Sequence, residues 1–358
     1  MKTKSKFGAL LCAPVSALTV LALVVITCMA PTTARVISPR AAPFAAPFGA
    51  KPLKQIASIE LPGPAGKRFD YLTVDPEDHF VFCAHLGAGN LYVIDTRANK
   101  VVNTISGVAG VEGVEYAPDL KKVYTSDWYE DKIGVIDLTT MKVIAKIPTE
   151  SKPDGSAYAP IFQKLYVSDE QAKAVAIVDA VRDVIIETLH FKSETGMPQY
   201  DPIGRLVYVN LQDENTLAAI DPASDRIVGR HPVGRCRGNH GMALDPDHRR
   251  AFLACEGNNL MTVFDLEKNE PIAYFPVPGG ADVVKFDGGL GRIYVACYSG
   301  AISIFEQEDP GHYNKIEDFR VAHAVHSLAV DPGTHRVYAP EQEEDGVPVA
   351  RLIVYEAQ

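Results

Sequence analysis

Short hydrophobic segments alternate with polar turns from about residue 52 to the end of the chain. A segment ending in Asp-Pro or a close variant recurs seven times, at spacings of 42, 42, 42, 44, 42 and 44 residues. Self-similarity at a fixed period indicates a repeat architecture. We call the first residue of each dipeptide the anchor. The dipeptides are Asp75-Pro76, Ala117-Pro118, Ala159-Pro160, Asp201-Pro202, Asp245-Pro246, Asp287-Gly288 and Asp331-Pro332.

Each repeat has the pattern of four β-strands. After the strand that leads to the anchor, a second strand follows, as in Lys164–Val167. A third strand ends in an acidic residue, as in Ile177–Asp179, and a fourth follows a polar turn, as in Val143–Ile147. These segments are rich in β-branched residues, and the stretches of chain that connect them show no helical periodicity. Four strands per repeat are typical of a propeller blade. The sequence therefore predicts an all-β, seven-bladed β-propeller.

The two ends of the repeat region complement each other. The last repeat stops after Leu352–Tyr355, which is its third strand, whereas Lys54–Ile59 aligns with the fourth strand of a repeat. A strand from each end in one blade would pair edges that otherwise stay open. We therefore predict that the ring is closed by an N-terminal strand that completes the last blade.

Three segments resemble the YVTN-type β-propeller repeat of exported bacterial proteins, namely Lys152–Gly155, Lys164–Asp169 and Val207–Asn210. In that repeat a Pro-x-Gly turn leads into the inner strand, and Tyr-Val-x-Asn ends the next strand. The resemblance covers about residues 52–358, although Pro-x-Gly is intact only at Pro153–Gly155 and most repeats replace the Asn. It implies the propeller fold. Because the family includes scaffolds, surface-layer proteins and lactonase-like enzymes, it implies no single activity.

The N-terminal part of the chain has a different composition. Residues 1–34 combine three lysines with an apolar run and small residues, which we interpret as a secretory signal peptide. The alternative is an uncleaved membrane anchor, because the run approaches the ~20 residues that span a bilayer. Residues 35–51 are rich in Ala and Pro and are interpreted as a linker, before a propeller domain at 52–358. We expect an exported protein, periplasmic or extracellular.

The charge balance argues against a nucleic-acid partner. The formal net charge is −10, and beyond residue 34 the chain has 32 basic and 45 acidic residues. Nucleic-acid binding needs clustered Lys and Arg to neutralise phosphates. We therefore expect no nucleic acid, and no membrane association beyond the anchor alternative.

Four cysteines lie beyond the predicted signal peptide: Cys83, Cys236, Cys255 and Cys297. Cys255 and Cys297 occupy equivalent positions of neighbouring repeats, which we interpret as a pair of buried thiols. A disulfide or a metal site are the alternatives, since export would allow one pair to oxidise.

Polar residues at positions that vary between repeats do not belong to the core packing that all repeats share. They are therefore the candidates for a functional site. Equivalent residues near the axis of a propeller form rings at one end. The first predicted ring lies five residues before each anchor and consists of Asp70, Glu112, Asp154, Gly196, His240, Asp282 and His326. The second predicted ring lies ten residues after each anchor and consists of His85, Asp127, Asp169, Leu211, Cys255, Cys297 and Glu341.

The first ring predicts a cation-binding site at the mouth of the propeller, which is the end of its axis where the ring lies. Carboxylates this close together raise one another's pKa unless a cation neutralises them. Oxygen ligands suit Ca²⁺, and imidazoles with carboxylates suit Zn²⁺ or Mn²⁺. His240 and His326 are the candidate catalytic residues, each as a base beside a metal that polarises a carbonyl or activates water. The candidate metal ligands are Asp70, Glu112, Asp154, Asp282, His240 and His326. The candidate ligand-binding residues are His85, Asp127, Asp169, Glu341 and Arg237.

Two functions remain open at this stage. The first is a metal-dependent enzyme, either a lactonase-like hydrolase or a lyase in which a histidine takes a proton beside a metal-stabilised carboxylate. The second is a non-catalytic propeller that binds a protein, a glycan or a small ligand. The acidic residues also have a structural explanation, because Asp in turns accepts hydrogen bonds from local backbone amides.

Overall fold

The computed structural model describes residues 51–358, so the predicted signal peptide and all but the last residue of the predicted linker lie outside the described residues. The strands in this range form seven four-stranded antiparallel sheets, which confirms the prediction of an all-β, seven-bladed propeller. None of the helices in residues 51–358 has the length and apolarity needed to span a membrane.

The strands of blades 1 to 6 follow one another in chain order from the inner to the outer edge. Blade 1 consists of β2 (Leu72–Asp75), β3 (Phe80–His85), β4 (Asn90–Asp95) and β5 (Lys100–Ser106). Blade 2 consists of β6 (Val111–Ala117), β7 (Lys122–Asp127), β8 (Lys132–Asp137) and β9 (Lys142–Pro148). Blade 3 consists of β10 (Pro153–Ala159), β11 (Lys164–Asp169), β12 (Ala174–Asp179) and β13 (Val184–His190).

Blade 4 consists of β14 (Thr195–Asp201), β15 (Leu206–Leu211), β16 (Thr216–Asp221) and β17 (Arg226–Pro232). Blade 5 consists of β18 (Asn239–Asp245), β19 (Arg250–Cys255), β20 (Leu260–Asp265) and β21 (Glu270–Pro276). Blade 6 consists of β22 (Ala281–Asp287), β23 (Arg292–Cys297), β24 (Ala301–Asp309) and β25 (His312–Arg320). Blade 7 consists of β26 (Ala329–Asp331), β27 (Arg336–Glu344), β28 (Val347–Ala357) and the N-terminal β1 (Leu53–Glu60). Short 3₁₀ helices lie at Leu86–Ala88, Pro118–Leu120, Pro160–Phe162 and Glu256–Asn258.

The ring is closed at both its inner and its outer edge. The seven inner strands contact one another in a circle, including β26 with β2. At the outer edge β1 pairs antiparallel with β28, from Leu53 opposite Ala357 to Glu60 opposite Arg351. Leu53 is buried there. The prediction that an N-terminal strand completes the last blade is therefore confirmed.

A buried aromatic residue at the same position of every second strand packs each blade against its neighbour. Its side chain is at most 1% exposed in all seven blades. Burial of one such side chain stabilises the folded state by roughly 2–3 kcal/mol, so this position stabilises every blade interface to a similar extent. The residues are Phe82, Tyr124, Tyr166, Tyr208, Phe252, Tyr294 and Tyr338.

Many of the periodic acidic residues serve turns. Asp75 Oδ1 accepts hydrogen bonds from the backbone amides of Glu77 and Asp78, both at 3.0 Å. The acid at the end of a third strand does the same, as Asp95 shows with the next turn. These carboxylates replace backbone partners that the turn lacks. The acidic residues at the anchors and at the ends of the third strands are therefore explained by the hydrogen bonds they accept in turns.

The pairing of the cysteines differs from the interpretation drawn from the repeat. Cys255 forms a disulfide with Cys236, and the two Cα atoms lie 5.3 Å apart. Cys83 and Cys297 are free and buried. Equivalent positions in neighbouring blades are separated by a blade interface, whereas the loop before β18 returns Cys236 to the end of β19 in the same blade.

Candidate functional site

A bulge in the inner strands places the first predicted ring at the axis. The pairing of β10 with β11 shifts between Pro153 and Ser156, and β18 and β22 show the same irregularity at the same position. A bulge leaves residues out of the ladder and re-aims their side chains. Asp154, and the equivalent residues of the other bulged blades, therefore turn toward the mouth instead of packing within a blade.

Glycine follows the ring residue where neighbouring bulges come closest. A Cβ atom on Gly113 would lie 2.1 Å from the backbone oxygen of Asp154, and one on Gly241 would lie 1.8 Å from that of Asp282. Neither distance is compatible with any side chain. The small residues therefore let adjacent inner strands approach closely enough to bring their acidic side chains into one cavity.

The first ring converges on a cavity of about 230 Å³ at the axis. The acidic residues that line it come from four inner strands or the segments before them, and from two turns after second strands. His326 lies directly behind the cavity wall, because its ring stacks on Tyr298 with centroids 4.1 Å apart. The lining residues are Arg68, Asp70, Tyr71, Glu112, Trp128, Asp154, Glu170, His240, Glu256, Asp282 and Tyr298.

His240 lies at the centre of the polar contacts. Its Nε2 atom is 3.4 Å from Asp282 Oδ1 and 3.7 Å from Asp154 Oδ2. The hydroxyl of Tyr71 is 3.0 Å from the same nitrogen and 3.5 Å from Asp154 Oδ2. Burial alone would lower the pKa of His240, but Asp282 and Asp154 raise it to about 9. The imidazole of His240 is therefore protonated at neutral pH.

A second group of charges occupies the opposite side of the mouth. His326 Nε2 is 3.6 Å from Asp70 Oδ2, and Arg68 Nη2 is 2.8 Å from the same oxygen. His326 Nδ1 lies 3.0 Å from the backbone oxygen of Ala324, which orients the ring. Burial would raise the pKa of Asp70, but His326 and Arg68 hold it below its ordinary value. Asp70 is therefore an anion within an ion-paired group.

The remaining carboxylates have too few cations to balance them. Burial, with the charges of Asp70 and Asp154, raises the pKa of Glu112 to about 11. Burial likewise raises the pKa of Asp154 to about 7, against the pull of His240. Burial and Asp282 raise the pKa of Glu256. Protons therefore take the place of missing cations in this mouth, as expected for clustered acids.

Three of these residues have the geometry of a metal-binding group. One ligand atom from each of Asp154, Glu170 and His240 lies within 4.8 Å of the other two. The donor set of two carboxylates and one imidazole suits Zn²⁺ or Mn²⁺ better than Ca²⁺. Asp282 Oδ1, 3.4 Å from His240 Nε2, is buried beside this group without a hydrogen bond to any described residue. The site thus has unused ligand capacity.

The structure does not place the second predicted ring at the mouth. His85 stacks on Phe69 with centroids 4.0 Å apart, and Asp127 forms an ion pair with Lys146. Asp169 accepts a hydrogen bond from the backbone of Glu150. The other members are equally occupied: Leu211 lies in a blade core, Cys255 in the disulfide, Cys297 buried and free, and Glu341 paired with Arg351.

Arg237 is exposed on the loop before β18 and donates to the backbone oxygens of Gly234 and Cys236. It is not among the residues that line the mouth cavity. His85, Asp127, Asp169, Glu341 and Arg237 therefore do not line the mouth cavity, and their role in ligand binding stays a prediction.

The residues one place further along the chain line the mouth instead. Trp128, Glu170, Glu256 and Tyr298 each directly follow a member of the second ring. The last residue of a second strand is still held within its blade, whereas the next residue lies in the turn that follows the strand, at the end of the propeller where the mouth opens. The predicted end of each second strand was the signal that could have identified Glu170 and Glu256, because the first residue of the following turn lies at the mouth.

Comparisons with known proteins agree with the fold. No family model and no curated protein matches the sequence. A chain of Kuenenia stuttgartiensis hydrazine synthase is similar in structure, with a TM-score of 0.67, 16% identity, and coverage of 76% of this chain and 92% of that chain. The WD40 repeats of RRP9 and the U3-55K structure both give a TM-score of 0.71 at 11% identity, and cover 84% of this chain and 97% and 98% of theirs. At these identities the likeness shows the propeller fold alone.

Proposed function

We propose that this protein is an exported YVTN-type propeller whose mouth binds a divalent metal ion for hydrolysis or elimination on a small ester, lactone or carboxylate. The observation that carries the proposal is the group of Asp154, Glu170 and His240, whose ligand atoms lie within 4.8 Å of one another. The N-terminal leader supports export. The imidazole in the group favours Zn²⁺ or Mn²⁺ over Ca²⁺.

The charge of the mouth supports a cation as its occupant. Six carboxyl groups line the cavity, against Arg68 and His240 as the lining cations. Clustered carboxylates that are buried must be protonated or neutralised. A divalent ion would replace the protons on Asp154 and Glu112. When bound, the metal would polarise a carbonyl or activate a water molecule.

The residues around the metal group would bind and orient the substrate. Arg68 stands at the rim with its side chain 46% exposed and can pair with a substrate carboxylate. His326, oriented through Nδ1 by Ala324, lies behind the wall residue Tyr298 and would exchange a proton with the cavity through Asp70. Asp70 stabilises the protonated form of that imidazole. This arrangement suits general acid–base chemistry.

The test uses the single tryptophan of the chain as a reporter, because Trp128 lines the mouth. The purified protein is chelated, and Mn²⁺ or Zn²⁺ is titrated while emission is recorded. We expect saturable quenching by Mn²⁺, a higher melting temperature with either ion, and loss of both effects in Glu170→Gln and His240→Ala. The control is Asp213→Asn, which removes an exposed carboxylate paired with Lys173.

Elemental analysis before and after chelation, with a panel of lactones and esters, completes the test. No bound metal, no change in melting temperature on chelation and no hydrolysis would exclude the metal-dependent enzyme. Metal binding without turnover of any panel member would restrict the proposal to a metal-binding propeller.

A second candidate is a non-catalytic site for an organic cation. Aromatic rings of Tyr71, Trp128 and Tyr298 line the same cavity as the carboxylates, and such rings attract ammonium groups through their faces. Saturable quenching of Trp128 by tetramethylammonium in the chelated protein, with no effect of added Mn²⁺, would favour this candidate over the metal site.

A further inference from the structure

A second cavity lies on the propeller axis beyond the floor of the mouth. Tyr71, Met197 and Val283 occupy equivalent positions of three blades, four residues before their anchors, and pack against one another across the axis. Tyr71 borders both cavities. The apolar layer therefore separates the acidic mouth from a space of about 210 Å³ on the side nearer the anchors.

Polar residues from four blades face this second cavity. Thr73, Glu115, Gln199 and Lys285 stand two residues before their anchors and line it, with Ser156 beside them. The same position carries Ala157, Ala243 and Ala329 in the other three blades. Since alanine replaces a long side chain in three of seven positions, the layer leaves room at its centre.

Lys285 is the unusual member of the layer. Within residues 51–358 its amino group has no ion-pair partner within 4.0 Å, although Glu115 lines the same cavity. Burial lowers the pKa of Lys285, and Glu115 opposes that shift only in part. The side chain of Lys285 is only partly buried and lines the cavity, so its amino group presents a donor and a positive charge to whatever occupies that space.

Glu115 is already engaged on one side. Its Oε1 atom accepts a hydrogen bond of 2.9 Å from the backbone amide of Tyr158, on the inner strand of the next blade. Burial raises the pKa of Glu115 to about 7, which lets the carboxyl group carry a proton and act as a donor. Thr73, Ser156 and Gln199 also have donors to offer.

We propose that this axial cavity binds a small monocarboxylate, with Lys285 as the charged partner and Thr73 and Gln199 as neutral donors. The single positive charge matches a monovalent anion. A divalent anion such as phosphate would bring a second charge next to Glu115, which disfavours it. The site is independent of the metal proposed for the mouth, because the apolar layer lies between the two.

The test compares sodium acetate with sodium chloride at equal ionic strength, using the full protein. We expect acetate to raise the melting temperature by on the order of 2–4 °C at concentrations well above its Kd. Calorimetric titration is expected to give binding that weakens at least tenfold in Lys285→Met. Phosphate in place of acetate is expected to bind more weakly.

Three variants keep the result interpretable. Lys285→Met leaves Glu115 without its nearest cation, so the double variant Lys285→Met/Glu115→Gln removes both charges and preserves neutrality if the single variant folds poorly. Arg68→Gln tests whether acetate binds at the mouth instead. Lys142→Met, on the exposed outer strand β9, controls for the loss of one positive charge.

The proposal requires the acetate effect to persist in Arg68→Gln and Lys142→Met and to vanish in the double variant. An equal effect of acetate and chloride on the wild-type protein would overturn it. So would retention of the acetate effect in the double variant, or its loss in Arg68→Gln alone.

Discussion

The disulfide between Cys236 and Cys255 should contribute a measurable share of stability. The bond closes a loop with a sequence separation of 19 residues. A cross-link of that length lowers the entropy of the unfolded chain by an amount worth about 3 kcal/mol at room temperature. For a domain of this size, such a change corresponds to a fall in melting temperature of about 5 °C.

Cys297 provides a matched control for the loss of the bond. It stands 42 residues after Cys255, at the equivalent position of the next blade, and both side chains are fully buried. Cys255→Ala and Cys297→Ala therefore remove similar buried volumes, but only the first opens a loop. We expect the free energy of unfolding to differ between the two variants by about 3 kcal/mol.

Urea unfolding of the two variants and alkylation of the denatured wild-type protein provide the measurements. Before reduction, peptide mapping should find Cys83 and Cys297 alkylated, and Cys236 and Cys255 only after reduction. Equal stabilities of Cys255→Ala and Cys297→Ala, or alkylation of Cys236 without reduction, would refute the reasoning.

Three further predictions concern the axis and the ring. Burial raises the pKa of Glu115 from 4.5 to about 7, so the folded state holds this proton more tightly than the unfolded state does. The free energy of unfolding should therefore fall by about 3 kcal/mol as the pH rises from about 4.5 to 7. Glu115→Gln should flatten this part of the stability profile in urea titrations at pH 5 and 7.5, and an unchanged slope would contradict the prediction. Leu53→Ala should cost about 2–5 kcal/mol of unfolding free energy, because it creates a cavity under the closing strand; a loss below 1 kcal/mol would mean that β1 contributes little to closure. Gly241→Ala should lower the melting temperature strongly, since its Cβ would lie 1.8 Å from the backbone oxygen of Asp282. The control is Gly279→Ala, whose Cβ would have no atom within 4 Å and which should leave the melting temperature unchanged. Equal melting temperatures of the two variants would contradict the close approach of the inner strands.

The sequence alone predicted the number of blades, their strands and the closure of the ring. These features follow from local patterns that repeat, because alternation of apolar and polar residues sets the strands and the spacing of turns sets the blades. The match of Lys54–Ile59 to a fourth strand was also visible without coordinates. Each of these inferences compares one segment of the chain with another.

The first predicted ring also emerged from alignment of the repeats, because its six charged residues share one offset from the anchor. The second ring did not, because its members are the last residues of the second strands, whereas the mouth is lined by residues of the turns that begin one position later. His85 and Asp127 therefore lie within their blades, while Glu170 and Glu256 take the places expected for their neighbours. The period of the repeat identifies equivalent positions, but it does not show where each strand ends to within one residue.

Only the tertiary structure decided which polar groups meet. The bulge at Asp154, the distance from His240 to Asp282 and the disulfide to Cys236 depend on how chain segments far apart in sequence are brought together. Lys285 carried no signal in the repeat, yet the fold leaves its amine unpaired in an axial cavity. The repeated sequence determined the scaffold because each blade needs only local pairing and contact with its neighbours. The chemistry of the axis required several blades at once, because the residues that line the mouth come from five of the seven blades.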